Sequence, residues 1–494
     1  MKHDKLHTWY YQMRLLFVLI LGLFVLSACA SGGQSISPSA GRTATPSAQR
    51  PAPCVPPDPT HPTPPLPSPT TLSTLGQAYW CLLDHYVTDK KLDDRVLLNG
   101  AFIALVQELL RKGLDQSTAM LPALSGDQQA DWNAFSTAYQ RVSSALPHDA
   151  TFQQELAVAT MQGMIQSLHD NHTSWSVPPP ASVFKRFPTG FAYGLGILTS
   201  ASAGPSFLPE AQPPLFVSGI LPDSPAAHAQ VALGDIITAV NGSAPFTNNQ
   251  LNLGVMAWLS PQLSDNEVVH VTLLRPRTGE IRTVALTPTY FTPPPSSAVS
   301  ARALNGSLAY VKLTSFVPDA GNQVLAAIAG LHLGTHLRGI ILDLRDNPGG
   351  DPTGVAQLLG AFVHGKIWGY LLDGKGQRSA QATNDSVALL HQPLVVLTNR
   401  RCASACDAFA GAIRDLSIGP LVGTRTAGAI AGAASPYVLN DGSLLGITEQ
   451  RSLGANGEPL DGIGVAPDYQ VPLTAQDVSA GHDPELEKAM SLLH

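Results

Sequence analysis

The chain has 494 residues, of which 44% are hydrophobic and 13% charged, and its formal net charge is −7. This length is sufficient for two or three domains, and the apolar content is typical of a globular protein with a substantial core. Because the charge is mildly negative and no basic cluster follows the first residues, we do not expect nucleic acid as a partner.

Residues 1–29 have the pattern of an export signal. Basic residues precede the apolar run Leu15 to Leu26, which is too short to cross a bilayer comfortably. The sequence Leu26-Ser27-Ala28-Cys29 resembles the lipobox of bacterial lipoproteins, in which Cys29 is the lipidated residue. A plain membrane anchor is the alternative, and with either anchor we expect the protein to be extracytoplasmic and held at the cell membrane.

Residues 30–71 are rich in Pro, Ser and Thr. Such a segment cannot bury enough apolar area to fold, and its prolines keep it extended. We therefore expect a tether between the membrane and the folded domains.

Four cysteines remain after Cys29. Cys54 and Cys81 could pair in an oxidising compartment. Cys402 and Cys406 are four residues apart and have no partners in a zinc pattern. We interpret them as small packing residues, with a local disulfide as the alternative.

Residues 72–188 are predicted to be mainly helical. Apolar residues recur at three- and four-residue spacing in Leu97–Arg111 and Phe152–Leu168. The second helix is followed by the sequence Leu168-His169-Asp170-Asn171-His172-Thr173. A histidine just past a helix end is commonly a cap or a surface residue, so position alone does not give His172 a role.

Residues 189–290 change to short strands separated by turns. The segment from Leu221 to Gly242, LPDSPAA followed by LGDIITAVNG, resembles a bacterial PDZ domain. That resemblance implies that the loop Gly194, Leu195 and Gly196 binds the carboxylate of a peptide, whose backbone pairs with the adjoining strand. A β domain that only packs is the alternative, and the insert Ser200 to Pro214 could obstruct the groove.

Residues 300–475 alternate strands with helices, which favours an α/β layered domain. The sequence predicts strands at 308–313, 339–344 and 394–398, and helices at 320–331, 354–363 and 403–415. Residues 476–494 are predicted to be a polar tail.

Ser404 is a candidate nucleophile because it lies where a buried strand turns into a helix. The amino terminus of that helix offers unpaired N–H groups and the positive end of its dipole, and the flanking alanines leave room for a substrate. Gly349 and Gly350 end another buried strand in a Pro-Gly-Gly turn, whose backbone amides can approach a ligand closely. The alternative is that both segments only permit close packing.

Three segments together resemble peptidase family S41, the carboxy-terminal processing and tail-specific serine proteases: DLRDNPGG at 343–350, NRRCASACDAFAGAIRD at 399–415 and LDGIGVAPD at 460–468. The resemblance covers about Gln153 to Val471. It implies a multidomain α/β protein with a crotonase- or ClpP-like catalytic core, an inserted PDZ-like β domain and an N-terminal helical region. It also implies that Ser404 is the nucleophile and that Gly349, Gly350 and Ala405 form the oxyanion hole.

The base differs from that of the best-known branch of the family. Those enzymes use a lysine in an F-G-K-G segment, and this chain has alanine in the lysine's place, within Thr426 to Ile430. Leu168 to Thr173 resembles instead the histidine motif of the branch with tricorn and the retinoid-binding proteins, which implies that His172 is the base and that Asp461 orients the histidine network. Asn171 replaces a serine found beside the histidine in tricorn, but it can still donate a hydrogen bond.

The sequence therefore predicts an extracytoplasmic serine endopeptidase that cleaves peptides or unfolded chains through an acyl-enzyme on Ser404. No metal or organic cofactor is implied. The alternative is a catalytically silent protein of the same fold that binds peptides or an apolar ligand, and an esterase is less favoured because the chain lacks a G-x-S-x-G motif. Contact between His172 and Ser404 is the feature that separates an enzyme from a binding protein.

Overall fold

The structure is a computed structural model that describes residues 50–57, 68–88, 91–178, 181–186, 190–203, 206–208, 211–261, 267–292, 297–432 and 434–493. The predicted export signal with Cys29, and most of the predicted tether, lie outside these residues. Within the described ranges, no helix has the length and hydrophobicity needed to cross a bilayer.

The N-terminal region consists of four helices that share one apolar core. Aspartate side chains cap three of them by accepting hydrogen bonds from first-turn amides. The helices are α1 (Leu72–His85), α2 (Asp94–Arg111), α3 (Gln128–Ser144) and α4 (Ala150–Gln166). The two helices predicted from periodicity, α2 and α4, are thus confirmed, and each begins two or three residues earlier than predicted.

Part of the predicted tether packs against the folded body. Cys54 forms a disulfide with Cys81 in α1, which is the pairing that the sequence left open. Val55 forms a β-bridge with Val438, and the Ser68 amide donates to the carbonyl of Asp441 at 2.9 Å. The prediction that the tether extends to residue 71 is therefore wrong for these described residues, because a covalent link and backbone hydrogen bonds hold them in place.

The PDZ-like region is a separate β-rich unit with its own apolar core. Its first strand and its last strand, β2 and β12, pair with each other and close the unit. The strands are β2 (Ala192–Gly194), β3 (Ile197–Thr199), β4 (Ser202–Ala203), β5 (Ser206–Phe207), β6 (Val217–Ile220), β7 (Ile236–Val240), β8 (Phe246–Thr247), β9 (Gln250–Leu251), β10 (Val269–Leu274), β11 (Ile281–Leu286) and β12 (Thr289–Phe291), and the helices are α6 (Pro225–His228) and α7 (Leu253–Leu259). Helix α5 (Ala181–Arg186) precedes this unit.

A six-stranded sheet forms the centre of the predicted catalytic region, which is called the catalytic region below, in the order β13-β14-β15-β18-β19-β23. All neighbours are parallel except β13 and β14. Its strands are β13 (Val299–Leu304), β14 (Leu308–Leu313), β15 (Gly339–Asp343), β18 (Leu394–Thr398), β19 (Leu421–Gly423) and β23 (Tyr469–Gln470). Every residue of β15 and β18 is buried, as expected for parallel strands covered on both faces.

Three helices cover one face of this sheet: α8 (Ala320–Ala329), α9 (Pro352–Gly360) and α10 (Ala405–Asp415). A 3₁₀ turn, Gly334–His336, leads into β15. The predicted strands and helices of this region are confirmed, and β14 and β18 have the predicted bounds. The multidomain α/β fold expected from the sequence is therefore correct.

Two smaller sheets flank the catalytic region. One has the order β17-β16-β22 and the other the order β1-β21-β20. Their strands are β1 (Ser174–Ser176), β16 (Ile367–Asp373), β17 (Arg378–Ala382), β20 (Ala434–Val438), β21 (Leu444–Thr448) and β22 (Gln450–Gly454). Since β1 follows the helical region directly, its pairing with β21 brings the histidine segment to the catalytic region.

The chain ends in two short helices rather than in a polar tail. These are α11 (Ala475–Ala480) and α12 (Pro484–Ser491). Ala489 is fully buried, and Leu486 and Met490 pack against the second apolar face of the central sheet. The prediction of a polar tail is wrong because the few apolar residues of α12 lie on one face.

Candidate active site

Ser404 lies at the turn between β18 and α10, and its backbone is strained. Its φ is 57° and its ψ is −119°, which are sparsely populated values for a residue with a side chain. This backbone brings the serine to the amino terminus of α10, where the helix dipole favours negative charge. The chain thus forms a sharp strand-to-helix turn at Ser404 without the G-x-S-x-G sequence.

A fully buried carboxylate, Asp407, holds this turn. It accepts hydrogen bonds from the amides of Ser404 at 3.0 Å, Gly428 at 2.9 Å and Ala429 at 3.0 Å. Burial raises the pKa of Asp407 to about 6, although these hydrogen bonds oppose the rise. Sequence analysis missed this residue, whose signal is its place three residues after the serine at a helix start.

The structure brings His172 to Ser404. The distance from Nε2 of His172 to Oγ of Ser404 is 3.4 Å. Such contacts are often long without substrate and shorten when it binds. Burial lowers the pKa of His172, and the charges of Asp170 and Asp461 oppose this only in part. The histidine is therefore neutral near pH 7, as a general base must be.

The His172 segment is fixed by Asp170 and Thr173. The Asp170 carboxylate accepts from the His172 amide at 2.8 Å and from the Thr173 hydroxyl at 2.6 Å. The Thr448 amide of β21 donates to the same Thr173 hydroxyl at 3.2 Å. These contacts fix the turn of the segment and join it to β21, so that the imidazole faces the serine.

Asn171 lies between His172 and Asp461, and its Nδ2 also donates to the Gly428 carbonyl at 3.4 Å. Nδ1 of His172 is 2.7 Å from Oδ1 of Asn171, and Nδ2 of Asn171 donates to Oδ1 of Asp461 at 3.5 Å. The Ala431 amide would donate to the same Nδ1 only in the other tautomer, and its distance of 3.3 Å makes it the weaker contact. Since the asparagine oxygen can only accept, it favours the tautomer with a proton on Nδ1, which leaves Nε2 free to accept from Ser404.

Burial raises the pKa of Asp461, while the Ile430 amide, which donates to it at 3.0 Å, lowers the pKa. The series Ser404, His172, Asn171 and Asp461 therefore resembles a serine triad with an asparagine inserted between histidine and carboxylate. The structure gives these residues the predicted proximity, and their catalytic roles remain predictions.

Ala429 occupies the position of the lysine in the resembled F-G-K-G segment, and it lies next to Ser404. The Ala429 carbonyl accepts from the Ser404 amide at 2.8 Å. Lys488, the only lysine after Ser404 in the sequence, lies over the ring of Tyr469 with its Nζ 4.3 Å from the ring centre. A serine–lysine pair is thus absent from the described residues.

Two backbone amides in the turns around Ser404 and Gly349 are candidates for an oxyanion site. The amides of Gly350 and Ala405 have no hydrogen-bond acceptor among the residues that the structure describes. They lie at the carboxyl ends of the neighbouring parallel strands β15 and β18, which explains why segments over 50 residues apart in sequence meet. Donors of this kind stabilise the charge of a tetrahedral intermediate.

The amide of Gly349 is not available, which corrects the prediction for this residue. It donates to Oδ1 of Asn347 at 2.8 Å. Gly349 is needed for space instead, because a Cβ there would lie 2.7 Å from the Cβ of Ser404. Asn347 is fully buried and also accepts from the Ala403 amide through its carbonyl at 3.0 Å, so it joins the two turns.

Cys402 and Cys406 form a disulfide, with their Cα atoms 5.2 Å apart. The interpretation of these cysteines as packing residues only is therefore wrong. The spacing of four residues was compatible with a bridge, but the unusual turn at Ser404 that brings the two side chains together cannot be inferred from local sequence. Both cysteines are fully buried.

The predicted peptide loop of the PDZ-like region lies between β2 and β3. The carbonyls of Leu195 and Gly196 accept from the amides of Ala226 and Leu221 at 3.0 and 2.9 Å. The amides of Leu195 and Gly196 have no acceptor in the described part of the chain, so they can receive a carboxylate. Gly194 ends β2 and pairs with Thr289. The role of this loop remains a prediction.

The arrangement can perform acyl transfer, since a nucleophile, a base and an oxyanion site lie together. Among the described residues, no group of three or more His, Cys, Asp and Glu side chains could hold a metal ion. The His172 side chain can transfer a proton, and the backbone amides can donate hydrogen bonds to a developing negative charge.

Two parts of the chain match models of known families. Residues 307–471 match the model of peptidase family S41, and residues 188–253 match that of the PDZ domain. The chain is 28% identical over 340 residues to the chloroplastic carboxyl-terminal-processing peptidase 2 of Arabidopsis thaliana, covering 67% of this chain and 63% of the relative. It is 24% identical over 357 residues to a probable CtpA-like serine protease of Staphylococcus aureus (strain N315), covering 71% and 67%. The chain thus spans less than two thirds of the Arabidopsis relative.

Two solved structures share the fold. The photosystem II D1 C-terminal processing protease aligns with a TM-score of 0.50 and 22% identity, covering 85% of this chain and 97% of that protein. Mature CPAF aligns with a TM-score of 0.51 and 13% identity, covering 86% and 96%. At these identities the likeness concerns the fold alone.

Proposed function

We propose that this chain is a serine-type peptidase that hydrolyses peptides or unfolded protein chains outside the cytoplasm through an acyl-enzyme on Ser404, because residues 307–471 match the model of peptidase family S41 and residues 188–253 match that of the PDZ domain. The observation that carries this proposal is the 3.4 Å approach of His172 to Ser404 beside two unpaired amides. A silent binding protein has no need of that contact, so the contact favours the enzyme.

In the first step, His172 accepts the proton of the Ser404 hydroxyl while Oγ attacks a peptide carbonyl. The developing oxyanion receives hydrogen bonds from the amides of Gly350 and Ala405. His172 then gives its proton to the leaving amine, and the C–N bond breaks. Water, deprotonated by the same histidine, attacks the ester, and Ser404 regains its proton as the carboxylic acid leaves.

We propose that the substrate is presented with its carboxyl terminus in the PDZ domain. The relatives from Arabidopsis thaliana are named for carboxyl-terminal processing. In this chain, the amides of Leu195 and Gly196 are suited to a terminal carboxylate. A chain end held there would leave the preceding extended segment free to enter the catalytic cleft.

The test is cleavage of two unstructured peptides that are identical except for a free or an amidated carboxyl terminus. We expect the full chain to cleave the free form faster and the Ser404→Ala variant to cleave neither. Ser386→Ala, which changes an exposed loop serine, is the matched control and should behave as wild type. If wild type cleaves neither peptide, the peptidase proposal fails, and equal rates for both peptides would reject only the PDZ role.

We also propose that the chain is exported and anchored through a lipid on Cys29. The apolar run before Cys29 supports this, as do two disulfides, which persist in oxidising compartments. Metabolic labelling with a fatty acid should mark the wild-type chain and not Cys29→Ala. Equal labelling of the two would contradict the anchor.

A further inference from the structure

The disulfide between Cys402 and Cys406 encloses the nucleophile. Ser404 is the middle residue of the ring that the bridge closes, with one residue between it and each cysteine. Both cysteines are fully buried and belong to the apolar core that α10 shares with the central sheet. The bridge therefore constrains the backbone of Ser404 from within the core.

Both cysteines are attached to the rest of the site through their backbones. The Cys402 carbonyl accepts from the Ala427 amide at 2.9 Å, and the Cys406 amide donates to the Ala403 carbonyl at 3.0 Å. The bridge thus fastens the end of the loop before Ser404 to the first turn of α10. It also anchors the start of the 427–431 segment, whose Ala431 amide contacts His172.

The Ser404 backbone needs such an anchor. A residue with a side chain in this conformation relaxes unless its surroundings hold it there. Hydrogen bonds to Asp407 and Ala429 hold the amide of Ser404, and Gly349 packs against its Cβ. Hydrogen bonds can open in local fluctuations, whereas the disulfide keeps the two sides of the turn together.

We propose that Cys402 and Cys406 are positioning residues whose disulfide holds Ser404 in its reactive backbone conformation, so that full peptidase activity requires the oxidised pair. The proposal rests on the proposed function of Ser404. Opening the bridge requires a dithiol reductant. The reductant transfers two electrons and two protons to the bridge, so that the S–S bond breaks and two cysteine thiols form. The reductant is itself oxidised to a disulfide.

The test compares the full chain with Cys402→Ala, with Cys406→Ala and with the double variant. We expect each single variant and the double variant to slow fluorophosphonate labelling of Ser404 and to lower kcat by the same factor, on the order of tenfold or more. The three losses should be equal because every variant breaks the same bond. KM should stay within about twofold of wild type, since the bridge does not contact substrate.

Cys54→Ala/Cys81→Ala is the matched control, because it removes a disulfide of the same protein that is distant in sequence from Ser404 and lies in another core cluster. We expect its labelling rate to equal that of wild type even if its melting temperature falls. If Cys402→Ala/Cys406→Ala labels as fast as this control, the proposal is overturned. If oxidised wild type does not label at all, the proposed function has failed instead.

If the Cys402 and Cys406 variants do not fold, dithiothreitol is used instead to open the Cys402–Cys406 bridge in the Cys54→Ala/Cys81→Ala variant. Mass spectrometry after alkylation counts the two freed thiols. We expect the labelling rate to fall in proportion to the reduced fraction and to return on reoxidation. A labelling rate that is unchanged in fully reduced, folded protein would overturn the proposal.

Discussion

The surroundings of His172 set the pH range in which Ser404 can react. The histidine must be neutral to accept a proton, and burial lowers its pKa below the ordinary value of 6.5. Activity should therefore persist as the pH falls to 6.5 and decline only below it, when the imidazole becomes protonated. The measurement is the fluorophosphonate labelling rate against pH. A decline centred well above pH 6.5 would contradict this assignment.

Asn171 is the residue that connects histidine and carboxylate. Asn171→Ala removes the acceptor of the Nδ1 proton and the link to Asp461. We expect the labelling rate to fall on the order of a hundredfold, because the histidine loses its tautomer and orientation. Asn322→Ala, an exposed asparagine on α8, is the control. Equal rates for the two variants would show that His172 is oriented by other groups.

At the level of single residues, the sequence was informative where a motif carried the chemistry. The proximity of Ser404 and His172 was predicted in this way, although 232 positions separate them. The engagement of the Gly349 amide was not predicted, and the bridge between Cys402 and Cys406 was only the less favoured alternative. Both depend on the backbone angles of tight turns, which residue types restrict but do not determine.

The turn after β15 is the element on which the oxyanion site depends. Gly350 has a φ of 136°, and a Cβ there would lie 2.1 Å from the Phe316 carbonyl oxygen. We expect Gly350→Ala to lower the free energy of unfolding by roughly 2–3 kcal/mol, because both the φ and the contact are unfavourable. Its displaced amide should also slow the labelling of Ser404.

Gly376→Ala is the control for this substitution. Gly376 also has a positive φ, 80°, but no atom lies within 4 Å of the position of its Cβ. It should cost only about 1 kcal/mol and leave the labelling rate unchanged. If both glycine variants lose the same stability and label alike, the close packing of the Gly350 turn is not what supports the site.

Among the elements, the buried parallel strands were the most predictable. Strands β14 and β18 have the predicted bounds. β18 is an unbroken apolar run that is buried throughout, and β14 is mostly buried, with Tyr310 and Lys312 half-buried. Helix α12 was missed since only a narrow face of it is apolar. The strand β1 has just three residues, and it exists because it pairs with β21, about 270 positions later.

One buried network joins the catalytic region to the chain end. Arg345 binds Asp343 and Asp483 at 2.8 Å each and Glu485 at 2.6 Å, and Asp343 and Glu485 are almost completely buried. Burial raises the pKa of Asp343, but the hydrogen bonds and charge of Arg345 outweigh it and lower the pKa to about 2. The ion pairs of Arg345 thus stabilise the packing of the start of α12 against the end of β15.

Arg345→Ala should lower the free energy of unfolding by about 3–5 kcal/mol, because it leaves buried carboxylates without their partner. Wild type should lose the contribution of ionised Asp343 as the pH falls from about 4 to about 2, since its folded pKa lies below the ordinary 3.8. This acid-side loss should be smaller in the variant. Urea unfolding at several pH values measures both effects.

Arg338→Ala, which removes an exposed arginine just before β15, is the control and should change stability by less than about 0.5 kcal/mol. A similar small effect of Arg345→Ala would mean that α12 is held by its apolar contacts alone.

The order of the domains was predictable from motifs along the chain. The attachment of the tether and of α12 was not, because it depends on contacts between distant segments.

The central claim is that Ser404 is an activated nucleophile with His172 as its base. The most direct measurement is labelling of the purified full chain by a fluorophosphonate probe, with peptide mapping of the modified residue, in wild type, Ser404→Ala and His172→Ala. We expect wild type to be labelled on Ser404 and both variants to remain unlabelled. If wild type stays unlabelled where a control serine protease reacts, or if His172→Ala labels as fast as wild type, the claim is contradicted.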